Sequence, residues 1–277
     1  MPVTVVTDSS ACLGADLAAE AGVLVAPLHV FVDGVDLREG IDPIPEDFAA
    51  RGPVTTAGAS PGELTRLYED ALNRSRGAGV VAVHISRGLS STWEAARHAA
   101  AELGDRVRIV DSTSAGMGLG YAALAAARAA ARGDTISAVY DTAVEVGRRS
   151  RSFIMVDRLD HLRKGGRIGT AAALVGSALA MKPVLNLIDG KLVLGEKART
   201  STKALGKLVD AAHRVAGDET VALTVHHMQA PDRAEVVAGL LRVRIPQVSE
   251  LRIVPFGAVL GAHVGPGAVG VVVCPEP

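Results

Sequence analysis

Hydroxyl groups crowd three short turns of this sequence, each after a run of β-branched and apolar residues. The turns are Thr7-Asp8-Ser9-Ser10, the stretch 86–92 that ends in Ser90-Ser91-Thr92, and Asp111-Ser112-Thr113-Ser114. Such side chains bind anions through their own O–H groups, or cap helices whose free N–H groups and positive ends then face a ligand. A single turn of this kind reads as a helix cap. Three of them at the ends of parallel strands, with Ser9, Ser90, Ser91, Thr92 and Ser112 on one sheet edge, point to a small anionic group held there.

Several strings associated with catalysis fail on inspection. Gly58-Ala59-Ser60-Pro61-Gly62 has the nucleophile-elbow spacing, but that mechanism needs an oxyanion N–H from the residue after the serine. Here that residue is Pro61, which has none. Ser60 with Pro61 and Glu63 reads instead as a capping box that opens a helix. Gly265-Pro266-Gly267-Ala268-Val269-Gly270 spells a dinucleotide string, yet no helix and no acidic residue follow it at the required distance. No phosphate-loop motif occurs.

The eight histidines contain no metal-binding spacing, and His226-His227 on one strand would point to opposite faces. Neither a metal nor a cofactor is expected. His263 stands apart, because Gly261-Ala262-His263-Val264-Gly265-Pro266-Gly267 reads as a glycine-rich loop that could approach a ligand closely. Arg163-Lys164-Gly165-Gly166-Arg167 is the densest basic cluster. Lys164 suits a helix C-terminus, whereas Arg167 lies beyond the terminating glycines.

The elements that must position these residues fall into two halves. Over 1–150, strands at 3–7, 23–32, 80–85 and 107–110 alternate with helices near 16–21, 60–75, 91–103, 119–132 and 136–149. That alternation predicts an α/β unit with a mostly parallel, helix-covered sheet. Over 151–277, strands at 153–156, 184–188, 191–194, 221–226, 248–254 and 269–274 accompany helices at 158–164, 170–180, 202–216 and 232–242. This half reads as an α+β domain with an antiparallel sheet. Asp33-Gly34 and Asp189-Gly190 are hairpin signals.

Composition narrows the function classes. The chain has 277 residues, 29 Lys+Arg against 30 Asp+Glu, and a net charge of -1, so it lacks the electrostatic footprint of nucleic-acid binding. Aromatic residues are 3%, which leaves few platforms for base stacking. A hydrophobic content of 48% excludes global disorder. Cys12 and Cys274 fit neither a disulfide framework nor a zinc site. The N-terminus has no signal-peptide pattern, and the most apolar stretch, 121–131, is broken by Arg128 and too short to span a bilayer. A soluble, cytoplasmic protein is expected.

With these residues in place, the chain resembles the DegV family of bacterial fatty-acid-binding proteins over essentially its whole length. The resemblance rests on seven motifs in order. They are Val6-Thr7-Asp8-Ser9-Ser10, Thr56 with Ser60-Pro61, and Ile85-Ser86-Arg87-Gly88-Leu89-Ser90-Ser91-Thr92. Next come Asp111-Ser112 with Gly116-Met117-Gly118, Leu162-Arg163-Lys164-Gly165-Gly166-Arg167, Lys182-Pro183, and the loop around His263. Ala57-Gly58-Ala59 stands where the family has Ser-Gln-Pro, and Ser91 where it has glycine.

The resemblance implies a carrier and not an enzyme, with a buried acyl chain and a carboxylate held by Thr56 and Ser90. Arg167 and His263 would stand near the head group, as cations that stabilise an acyl phosphate, the imidazole being charged below about pH 6.5. Gly265 belongs to the same motif. The implied partner is a separate fatty acid kinase that makes the acyl phosphate for phospholipid synthesis, with transient membrane contact for lipid exchange. A hydrolase or phosphotransferase acting on a small anionic substrate at the same edge is the alternative.

Overall fold

The computed structural model describes residues 2–51, 54–169 and 181–276. In chain order its first half holds β1 (Thr4–Asp8), α1 (Gly14–Glu20), β2 (Leu24–Ala26), β3 (His29–Val32), β4 (Val35–Arg38), β5 (Thr55–Ala57), α2 (Pro61–Ser75), β6 (Val80–His84), α3 (Thr92–Ala101), β7 (Val107–Asp111), α4 (Met117–Ala131) and α5 (Ile136–Arg149). Its second half holds β8 (Arg151–Met155), α6 (Asp160–Lys164), β9 (Lys182–Ile188), β10 (Lys191–Ala198), α7 (Ser201–Ala216), β11 (Val221–His227), α8 (Pro231–Arg244), β12 (Val248–Pro255), α9 (Gly257–Val264) and β13 (Val269–Pro275). The helix expected over 170–180 lies outside the described residues.

The parallel sheet has the order β2-β1-β6-β7, so the C-terminal ends of β1, β6 and β7 share one edge, as the strand-helix alternation requires. The strand expected over 23–32 is in fact two. Pro27 cannot donate to a ladder, so β2 stops at Ala26 in the parallel sheet and β3 joins a second, antiparallel sheet of order β4-β3-β5. That small sheet was not anticipated. Asp33 and Gly34 both have positive φ, which a tight hairpin turn demands, and the same holds for Asp189 and Gly190 between β9 and β10.

The third sheet has six strands, in the order β10-β9-β8-β13-β11-β12. It is antiparallel except for β11 and β12, which the α8 crossover makes parallel. Phe153 and Met155 of β8 pack with α7 and α8 on one face. Ile154 packs on the other face, toward the first half of the chain. Helix α4 runs between the parallel and six-stranded sheets and is buried along nearly all its length, which explains its alanine and glycine content. A Cβ on Gly118 would meet Ser114 and Ser152, so the helix is as thin as the gap allows.

The Gly261-to-Gly267 segment corrects a sequence expectation. It is a loop only from Gly265 onward; residues 257–264 form α9, and His263 sits in its last turn. Its glycines and apolar side chains gave no helical signal. The helix begins where Glu39, reaching over from the end of β4, accepts the N–H groups of Ala258 at 2.6 Å and Val259 at 3.0 Å. Burial pushes the Glu39 carboxyl pKa up, partly offset by those N–H groups.

Candidate functional site

A cavity of ≈480 Å³ lies between the six-stranded sheet and the loops of the first half. Leu28, Ile85, Ile154, Leu187, Leu192 and Phe256 contribute to its apolar wall. Thr56 of β5, Ser90 and Ser91 at the start of α3, Arg167 just beyond α6, and His263 of α9 supply polar groups. Four separate segments therefore bring five of the expected residues to one cavity.

Thr56 Oγ1 lies 2.8 Å from His263 Nε2. The imidazole is mostly buried and its pKa is lowered to about 4, first by desolvation, then by the charges of Arg167 and His161. It is neutral at pH 7, so the expected imidazolium below about pH 6.5 is not what this site presents. The permanent cation is Arg167. Its Nε donates to the Leu89 carbonyl at 2.8 Å and its Nη1 to the Gly165 carbonyl, with no carboxylate partner among the described residues. The guanidinium is thus held in place by neutral acceptors and keeps its charge available. Ser90 Oγ accepts the Thr92 N–H at 3.2 Å and lies 2.9 Å from Thr92 Oγ1, which fixes the start of α3 beside the cavity.

The other expected residues do not reach the cavity. Ser9 Oγ accepts the Leu28 N–H at 3.1 Å. Ser112 Oγ donates to the Ser114 carbonyl and accepts the Ser114 N–H. Thr92 is fully buried, and Gly265, at φ +75°, leaves room for the His161 ring. Three hydroxyl turns do share the edge, but only the one at Ser90 presents a hydroxyl-bearing side chain to the cavity. At the other two, hydrogen bonds to protein groups consume the serine hydroxyls, and Thr7 Oγ1 is buried without a partner among the described residues.

Asp8 does most of that consuming. Its carboxylate accepts from the N–H and Oγ of Ser10, the Ile85 N–H at 2.9 Å and His84 Nδ1 at 3.0 Å. His84 Nε2 in turn meets Tyr68 Oη at 2.7 Å, and all three side chains are fully buried. His226, at the cavity wall, is equally satisfied: Nδ1–H donates to the Val254 carbonyl and Nε2 accepts the Met117 N–H. Burial lowers its pKa to about 4. Ser60 forms the expected capping box with Glu63.

A second cavity of ≈600 Å³ adjoins the first through Thr56, Arg167 and His263. Arg51, His161 and Lys164 line it with no carboxylate among its lining residues. Sequence reading did not find this basic vestibule, because Arg51 and His161 belong to no motif. Among the described residues no cluster could hold a metal ion, and no helix is long and apolar enough to cross a membrane.

Comparison with known proteins gives this arrangement a family. The profile of the DegV family, described as uncharacterised proteins, matches residues 2–276. The chain belongs to the DegV family. A DegV domain-containing protein of Mycobacterium tuberculosis is 49% identical over 273 residues, covering 99% of this chain and 97% of that one. One from Streptomyces coelicolor is 41% identical, covering 98% of each. Among solved structures, a DegV family protein of Thermus thermophilus, described as fatty acid binding, superimposes with a TM-score of 0.94 at 30% identity over 100% of both chains. DegV of Bacillus subtilis, described as a fatty acid binding protein, gives a TM-score of 0.88 at 30% identity, again over 100% of both.

Proposed function

We propose that this chain binds one long-chain fatty acid, its acyl tail in the apolar cavity and its carboxylate on the hydroxyls of Thr56 and Ser90 with Arg167 beside the head group, and presents that head group to a separate fatty acid kinase. The observation that carries the reading is an apolar cavity of ≈480 Å³ bordered by a fixed cation without a carboxylate partner among the described residues. That volume lies in the range of small-ligand sites, about 300–1,000 Å³. Burying about fourteen methylenes at ~0.8 kcal/mol each gives about 11 kcal/mol before the cost of association, which leaves room for tight binding. The fatty acid binding described for the Thermus and Bacillus relatives supports the ligand class. The basic vestibule supports presentation, since a phosphoryl group arriving at the carboxylate would add negative charge beside Arg167 and Lys164.

One contact favours a second reading. Thr56 and His263 stand at the distance of a nucleophile and its general base. Among the described residues no carboxylate orients the imidazole, however, and a pKa of about 4 makes it a weak base at neutral pH. Native mass spectrometry of purified protein, before and after organic extraction, separates the two. A carrier holds one fatty acid per chain and turns nothing over. Protein that is empty and fails to bind added oleate or palmitate overturns the carrier reading. In a paired assay, Arg167→Ala is expected to leave fatty-acid affinity within about threefold while lowering kinase-dependent acyl phosphate formation more than about tenfold. Equal losses would mean that Arg167 anchors the carboxylate itself.

A further inference from the structure

The six-stranded sheet has two outer strands with different edges. β10 carries Lys191 and Lys197 and is bent by a bulge between Leu194 and Glu196, devices that keep an edge from pairing with other chains. β12 has eight residues, no lysine, and a proline only at its last position. Among the described residues it pairs with β11 alone, and its one irregularity lies near its start, at Ser249.

Helix α8 stands beside that open edge and uses its sides differently. Ala234, Val237, Ala238 and Leu241 are buried. Arg233 and Arg244 reach inward, to Asp157 and the Gly267 carbonyl and to Asp210 of α7. At 3.6 residues per turn, Glu235, Gly239 and Arg242 fall on the remaining flank, away from α7 and over the margin of β12. Glu235 and Arg242 are exposed and have no ion-pair partner among the described residues. Gly239 has open space where a Cβ would stand.

Both elements are self-complementary about a common centre. An antiparallel copy of α8 brings Glu235 against Arg242 of the partner subunit, with Gly239 at the crossing. An antiparallel copy of β12 in register on Leu251 sets Glu250, which here pairs with Arg252 of its own strand, opposite Arg252 of the partner subunit. Gly239 lies about 7 Å from the end of α8 and Leu251 about 10 Å from the start of β12, so one axis passes near both.

We propose that a second copy of this chain docks at this margin, β12 against β12 across a two-fold axis, with α8 beside its counterpart. Helices two strand spacings apart stand about 9–10 Å from each other, the separation at which helices pack, and Gly239 removes the side chain at the contact. Val243, 82% exposed and the barest large apolar side chain among the described residues, borders the seam with Val236. Helix α8 lies on the face of the sheet opposite Ile154, and neither α8 nor β12 supplies a lining residue of the cavity, so the dimer leaves the ligand site open and stands independently of the fatty-acid reading.

Sedimentation velocity from low micromolar to several hundred micromolar protein tests this. The wild-type mass is expected to rise with concentration from 28.4 kDa toward twice that value. Arg242→Glu turns both symmetry-related contacts repulsive and is expected to weaken the dimer about tenfold, while the double variant Glu235→Arg/Arg242→Glu restores it. Gly239→Trp, at a helical position with free space around it, should keep its fold by circular dichroism and remain monomeric. A wild type that stays at 28.4 kDa throughout overturns the proposal, as does a dimer that all three variants leave unchanged. A monomeric wild type whose Arg242→Glu variant loses kinase support would give the surface to another protein, and would equally overturn it.

Discussion

Two histidines, each touching a hydroxyl, sit at the joins between elements of this molecule. His84 lies between Tyr68 and Asp8, with every side chain fully buried and every polar atom of the Asp8 carboxylate engaged. His263 touches Thr56, but among the described residues no carboxylate completes the network; Arg167 is close enough to depress its pKa and faces a cavity. The residue types are nearly the same, and the difference is completeness. A buried polar network whose partners are all protein groups holds strands together, whereas one that lacks its anion has a place for a ligand to fill.

The sharpest way to break that comparison is to remove the acid from the closed network. Asp8→Ala leaves His84, the Ile85 N–H and the Ser10 N–H without their acceptor, and should cost about 3–5 kcal/mol in urea denaturation. A loss below 1 kcal/mol would show that the network is not a fastening. The next effect is on pH dependence. His263 and His226 both have folded pKa values of about 4 against an ordinary 6.5, so the stability they confer is complete above pH 6.5 and is lost as pH falls toward 4. Each contributes at most about 3 kcal/mol to that fall. A bound carboxylate beside His263 should raise its pKa, so the loaded protein should lose stability less steeply than the empty one between pH 6.5 and 4. Parallel acid limbs for the two forms would place the carboxylate elsewhere. The smallest effect on the fold should come from Thr56→Val. Empty-protein stability should change by less than about 1 kcal/mol, while fatty-acid affinity, by isothermal titration, falls by about 1–3 kcal/mol.

Much of the scaffold was legible because local signals and tertiary structure agree. The Ser60–Glu63 capping box, the Asp33-Gly34 and Asp189-Gly190 hairpins and the parallel strand ends all appear where turn chemistry puts them. The site was legible only in part. Ser90 and Ser112 look equivalent in sequence, and nothing local reveals that Ser112 closes on Ser114 while Ser90 borders a cavity. Helix α9 was invisible because its start is capped by Glu39, more than two hundred positions away in the chain, and not by a neighbour. The apolar wall around Leu187, Leu192 and Phe256 has no motif at all, since any aliphatic side chain of suitable size fills such a position.

The place of β13 in the sheet bears on how the protein is made. This strand lies between β8 and β11, pairing with both, yet it is synthesised after each of them and after β9, β10 and β12. On the ribosome β8 and β11 emerge with facing edges and nothing to join them. The outer strands can form their hairpin and their α8 crossover, but the two groups close into one sheet only when residues 269–275 arrive. Until then the floor of the cavity is missing, because Gly270 and Val272 form part of it. A ribosome stalled before that strand therefore carries a finished parallel sheet and no place for a ligand.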